Sequence, residues 1–238
     1  MKSNFRYVTS FPRVGYEQFK HTVPLMIREH WPKGEVWAYY EEDFESSDNV
    51  NRINIFKKTK LKQYLGYLEP FQVCDGVMPT GFYDFKFDIS KFCRKAFAIL
   101  NASHDYEDVL VWLDGDIETY DDIPSEWLES WLADYPMALM LQPESYPDAS
   151  MMIMDCSRKE TRSFLDNYAN LLNTGGIFLL NQWHDAFVVE FLISSLKTPV
   201  NDIAKGLELL PGESANVFNR IMQGKAKHFK GALKNATR

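Results

Sequence analysis

Cysteine is scarce in this 238-residue chain: Cys74, Cys93 and Cys156 are the only three. Their spacing fits no metal site and an odd number cannot all pair, which suits a reducing compartment and excludes a disulfide scaffold. A long apolar run is also missing. Neither a signal peptide nor a membrane span is therefore expected, and the expected setting is cytoplasmic, in a bacterium or in the host of a phage. No Gly-x-Ser-x-Gly elbow, Walker-type loop or Cys-x-x-Cys pair occurs. The common hydrolase, nucleoside-triphosphatase and zinc readings thus have no support. Positive charge is not in excess either: 26 Lys and Arg against 33 Asp and Glu give a net charge of −7. Gripping nucleic-acid phosphates needs the opposite balance.

What is present suits one α/β domain over residues 1–238, long enough to bury a full core. Aromatic residues are plentiful, with 17 Phe, 12 Tyr and 6 Trp. Most belong in the core, but such rings also wall sugar and base pockets. Charge is uneven along the chain. No acid follows Glu213, while Arg220, Lys225, Lys227, Lys230, Lys234 and Arg238 do. A basic tail is ordinarily a solvated end; this one also carries a motif.

Strand, helix and strand patterns open the chain, over residues 5–9, 16–31 and 36–40. That order starts a parallel sheet. Residues 44–85 mix polar and short apolar pieces and read as irregular or briefly helical. A helix is expected over 91–100, with Phe92, Ala96, Phe97 and Leu100 on one face. Val109-Leu110-Val111-Trp112-Leu113 is the best buried strand in the sequence. Helices over 124–132, 158–172 and 184–196 and strands over 137–141 and 151–154 complete the pattern.

The buried strand runs straight into Asp114-Gly115-Asp116. Ligands of open α/β sheets bind at the carboxyl ends of strands. Two carboxylates there suit a hard divalent cation, Mn²⁺ or Mg²⁺, shared with substrate phosphates. Gly115 is expected to allow a tight turn and leave room for the ligand. A surface turn would carry the same tripeptide by chance; the apolar strand before it favours function. The second pattern is His228-x-x-Gly231-x-x-Lys234. Imidazole is a good third ligand, glycine permits close approach to a phosphate, and the lysine can neutralise one as a point charge.

Together the two patterns resemble the GT-A fold glycosyltransferases, and among them the glycogenin- and galactosyltransferase-like family 8 and its divergent relatives. The resemblance implies a mostly parallel, twisted sheet flanked by helices. It implies that Asp114, Asp116 and His228 hold the metal, and that Gly231 and Lys234 bind the diphosphate of a nucleotide-sugar donor such as a UDP-sugar. Thr9, Ser10 and Phe11 sit where the family cradles the nucleoside, and Tyr16 is placed to stack on its base. Lys95, or Lys91 as its alternative, matches a basic residue that reaches the donor phosphates. Gln182 and Asp185 fall where the family sets groups beside the transferred sugar. Two motifs depart from the family: Asp148-Ala149-Ser150 stands for Asn-Ala-Gly, and Asn235-Ala236 for Pro-Trp after the lysine.

The expected activity is metal-dependent sugar transfer with retention, and the acceptor is open among glycan, lipid, protein and modified nucleic-acid base. A phage-type enzyme acting on a hydroxymethylated DNA base lies within that range. A sugar nucleotidyltransferase ranks lower, because Ser10-Phe11-Pro12-Arg13-Val14-Gly15 is a poor version of its glycine-rich loop. A non-catalytic sugar-binding domain would not need Asp114, Asp116 and His228 together.

Overall fold

The computed structural model describes residues 4–14, 16–44, 48–142, 145–207 and 217–229. The N-terminal strand patterns form β1 (Phe5–Phe11) and β2 (Gly34–Tyr40), paired in parallel with Phe5 opposite Gly34 and Phe11 opposite Tyr40. Between them α1 (Val23–His30) is shorter than the periodicity suggests. Tyr16 starts a run of turns instead, in which the Phe19 N–H reaches the Tyr16 carbonyl at 2.9 Å. Pro24 sets this boundary. Proline lacks an N–H and is tolerated in a helix's first turn, which is where it sits.

The mixed region yields a strand that its pattern did not announce. β3 (Asn51–Asn54) precedes α2 (Ile55–Lys58) and α3 (Leu61–Leu68). It reads Asn-Arg-Ile-Asn, too polar and short to register as a hydrophobic run. It exists because it pairs in parallel with β2 at the sheet edge. α4 (Ile89–Ser103) starts two residues ahead of the expected helix. The Asp88 carboxylate accepts from the Lys91 N–H at 2.9 Å and caps it.

β4 (Val109–Leu113) lies mid-sheet, wholly buried. Its side chains alternate: Val109, Val111 and Leu113 enter one core, Leu110 and Trp112 the other. A strand covered on both faces reads as a continuous apolar run, which is why it was so legible. β5 (Ile117–Thr119), α5 (Ser125–Leu132), β6 (Met137–Gln142) and β7 (Ser145–Asp155) follow. β7 is much longer than its apolar end at residues 151–154. Its polar first half pairs irregularly with β6, with register shifts around Met140. α6 (Lys159–Asn173), α7 (Asp185–Leu196), β8 (Val200–Asp202), α8 (Val217–Ile221) and β9 (Ala226–His228) complete the described chain.

The main sheet has the order β3-β2-β1-β4-β7-β6-β8. β7 is the strand that runs against its neighbours; the other pairings are parallel. α1, α5 and α8 cover one face, while α3, α4, α6 and α7 cover the other. β5 and β9 form a separate two-stranded antiparallel sheet. Among the described residues, no helix is long and apolar enough to cross a membrane.

Candidate active site

The end of β4 is fixed by its neighbours. The Asp114 N–H donates to the Ser150 carbonyl of β7 at 2.9 Å, and the Ile117 N–H returns to the Asp114 carbonyl at 3.1 Å. Gly115 belongs to this turn for a different reason than backbone freedom, since its φ is not in the left-handed region. A Cβ at residue 115 would stand 2.7 Å from the Ser10 carbonyl oxygen and 2.9 Å from the Phe11 ring. The missing side chain therefore lets the turn pack against the end of β1.

The two-stranded sheet brings in the third member from far along the chain. β9 pairs with β5 so that His228 lies opposite Ile117, and the Phe229 N–H donates to the Asp116 carbonyl at 3.0 Å. The Asn219 carboxamide oxygen accepts from the His228 N–H at 2.7 Å and ties β9 to α8. His228 Nε2 then stands 3.2 Å from Asp116 Oδ1 and 3.7 Å from Asp114 Oδ2. One ligand atom from each of Asp114, Asp116 and His228 lies within 4.8 Å of the others.

Lys95 of α4 organises the neighbouring charge. Its ammonium donates to Asp114 Oδ1 at 2.8 Å, to the Ala149 carbonyl at 2.9 Å and to the Asp185 carboxylate. An ammonium has three N–H donors, so these partners use all of them. The Trp112 indole N–H adds a second donor to Asp114 Oδ1 at 2.8 Å. That oxygen is thus committed, and Oδ2 is the one facing His228.

Burial acts on these groups unequally. It pushes the Asp114 carboxyl up, against the pull of Lys95 and His228, while Asp116 and Asp185 add to the push. Burial also works against ionised Asp185, but there the Lys95 ammonium and its hydrogen bond prevail and hold the carboxyl below its ordinary range. Lys95 is itself disfavoured as a cation by burial, yet its two carboxylates hold its proton more firmly than usual. Asp114 and Asp185 face this one ammonium and Asp116 faces His228, so the cluster holds more carboxyl groups than committed cations. Two carboxylates and an imidazole with that surplus fit a hard divalent cation, both by donor type and by charge. The buried His228 Nδ1 has no hydrogen-bond partner, so no contact there opposes Nε2 acting as the ligand.

Two cavities meet at this cluster and share Phe92, Asp114, Asp185 and His228. The larger, about 550 Å³, is also lined by Ser10, Tyr16, Lys91, Arg94 and Lys95. The smaller, about 430 Å³, is lined by Phe85, Tyr146, Asp148, Ser150 and His184. Of the residues singled out in the sequence, the structure brings Asp114, Asp116, His228, Lys95, Asp185, Ser10 and Tyr16 to these walls. Thr9 and Phe11 are buried behind them; Phe11 stacks on Tyr40 at 5.3 Å between ring centroids. Gln182 also stands back from the cavities, its side chain joined to Tyr146 and His184. Gly231 and Lys234 lie outside the described residues.

Sequence reading missed several of the lining groups. Arg94 and Glu41 form an ion pair in the lining of the larger cavity. Tyr146 carried no motif and His184 was read only as a helix start between Gln182 and Asp185; the meeting of β7 with the start of α7 brings the two together. Asp185 proves to be the first residue of α7. The cap is His184, whose Nδ1 accepts from the Phe187 N–H at 3.4 Å.

The sequence matches no protein-family model and no curated protein sequence. Solved structures do match. The chain is similar to the apo form of the glycosyltransferase GlyE of Streptococcus pneumoniae TIGR4, with a TM-score of 0.51 and 10% identity. The match covers 96% of this chain and 55% of that one. A second GlyE crystal structure gives a TM-score of 0.50 at the same identity and coverage. A structure titled PaToxG Glycosyltransferase has 12% identity and a TM-score of 0.47, covering 94% of this chain and 77% of that one. The chain thus spans about half the length of GlyE. The sheet order, its flanking helices and the GlyE match make this an α/β chain with the GT-A fold of glycosyltransferase structures.

Proposed function

We propose that the chain is a metal-dependent glycosyltransferase, a divergent relative of family 8, that moves a sugar from a UDP-sugar to an acceptor with retention. The observation that carries this reading is the Asp114, Asp116 and His228 cluster at the junction of two cavities. A nucleotide-sugar has a nucleoside on one side of its diphosphate and a sugar on the other. Two cavities meeting at a cation site offer that division.

Asp114, Asp116 and His228 would hold Mn²⁺ or Mg²⁺, which when bound offsets the charge of a departing nucleoside diphosphate. Ser10 and Tyr16 serve the nucleoside in the larger cavity. The exposed Lys91 is better placed there than Lys95 to take a phosphate, because the donors of Lys95 are already committed to Asp114, Asp185 and Ala149. Gly231 and Lys234, following His228 in sequence, assist at the diphosphate. Lys95 orients Asp114 and keeps Asp185 ionised. An ionised Asp185 beside the smaller cavity stabilises the positive charge that develops on a sugar losing its diphosphate. In a retaining transfer such a group acts without serving as the acceptor's base.

A screen of nucleotide sugars with Mn²⁺, read as released nucleoside diphosphate, tests the reading. UDP release from at least one UDP-sugar, lost in Asp116→Asn, is expected. Silence across UDP-sugars with both Mn²⁺ and Mg²⁺ overturns it, and an inverted product anomer by NMR overturns retention.

A further inference from the structure

We infer that Tyr146 reads the transferred sugar, through a hydroxyl fixed as a hydrogen-bond donor by a one-way chain of bonds starting at the backbone of α7. The inference rests on the proposed sugar transfer for its ligand, but the chain itself rests on geometry alone.

The chain begins at the helix start. The Phe187 N–H donates to His184 Nδ1 at 3.4 Å, so that nitrogen must be unprotonated. A neutral imidazole then carries its proton on Nε2. Nε2 stands 2.9 Å from Gln182 Oε1, which accepts it. The carboxamide orientation follows, because its NH₂ group must point the other way. There Gln182 Nε2 donates to the Tyr146 hydroxyl oxygen at 2.7 Å. That oxygen is now an acceptor on one side, and its own proton must point elsewhere. Tyr146 lines the smaller cavity with Asp114, Asp185 and His228, where a sugar joined to a diphosphate at the cluster would lie.

Packing holds the chain in place. The His184 ring lies 5.4 Å from Phe85, 6.1 Å from Phe92 and 5.1 Å from Tyr146 between centroids. Tyr146 also packs edge-on against Phe187 at 5.5 Å. His184 is buried, and burial favours its neutral form, the form the chain requires. A sugar oxygen that accepts from Tyr146 is favoured. Gln182 and His184 are positioning residues in this scheme, and Tyr146 is the contact.

Three measurements test it. In ¹⁵N-histidine NMR of the full chain, His184 should show the Nε2–H tautomer; an Nδ1–H tautomer overturns the chain. Calorimetry with Mn²⁺ then compares UDP with UDP-glucose, UDP-galactose and UDP-N-acetylglucosamine. At least one sugar nucleotide should bind wild type more tightly than UDP. Tyr146→Phe should remove about three- to tenfold of that gain and leave UDP affinity unchanged. Gln182→Glu, which offers Tyr146 only an acceptor, should turn the hydroxyl away from the cavity and reproduce the same selective loss. Retention of the full sugar gain in both variants overturns the role of Tyr146 while leaving the transferase reading intact. Failure of wild type to bind UDP overturns the donor reading and this ligand assignment together.

Discussion

The two walls of the site are built from different physics. The β4, β5 and β9 side is a cluster of charges: Asp114 and Asp116 face His228, and Lys95 bridges Asp114 to Asp185. The β7 and α7 side, Asp148 and Asp185 apart, is a neutral file of Tyr146 and His184 with Gln182 joined behind them, set among aromatic rings. Charges act over distance and tolerate small displacements. Neutral hydrogen bonds specify which atom donates and which accepts. The first wall is thus suited to holding a cation and phosphates, and the second to reading hydroxyl groups.

The largest expected effect strikes the charged wall. Lys95→Met removes the cation from a buried ion pair and leaves Asp114 and Asp185 facing each other without it. Breaking a buried pair costs about 3–5 kcal/mol. Thermal unfolding should show a large fall in Tm, and a double variant Lys95→Met/Asp185→Leu should recover part of it. No recovery would mean that the pair is not the source of the loss. Next is Gly115→Ala. Its Cβ would press on the Ser10 carbonyl, a backbone atom with little room to yield, and overpacking of this kind costs about 1–3 kcal/mol. Reduced stability with weaker Mn²⁺ binding is expected; unchanged metal affinity would separate the turn from the cluster.

The neutral wall should respond less, and to pH. Burial holds His184 below the ordinary histidine range, about 6.5. The unfolded chain therefore takes up this proton first as pH falls. The contribution is full above the ordinary range and is lost as pH drops through the depressed value. His184→Asn keeps a capping side chain without a titratable ring, and Asn caps well. The gap in Tm between wild type and this variant should therefore move against wild type on acidification. A gap independent of pH would remove His184 from the acid response.

The same contrast explains what could be read from the sequence. Val109 to Leu113 was legible as a strand because burial on both faces leaves a continuous apolar run, and Asp114 and Asp116 stood out because they follow it at the carboxyl end of a buried strand, where α/β sheets bind ligands. His228 was legible through its spacing to Gly231 and Lys234, although β9, which delivers it to Asp116, has only three residues and no pattern of its own. β3 was illegible for a related reason: edge pairing, rather than hydrophobic periodicity, makes it a strand. The role of Lys95 could not be read as it stands, since its three partners come from β4, β7 and α7. Tyr146 was missed, and His184 was read only as the start of a helix beside Gln182 and Asp185. Hydrogen-bond direction depends on which atoms meet, and sequence spacing does not encode it.

The central claim is that Asp114, Asp116 and His228 bind a divalent cation that joins the protein to a nucleoside diphosphate. Calorimetric titration of UDP with and without Mn²⁺, on wild type and on Asp116→Asn, tests it directly. Tight binding by wild type only when Mn²⁺ is present, with that dependence lost in Asp116→Asn, is the predicted result. Equal UDP affinity with and without the metal, or an Asp116→Asn variant indistinguishable from wild type, would contradict it.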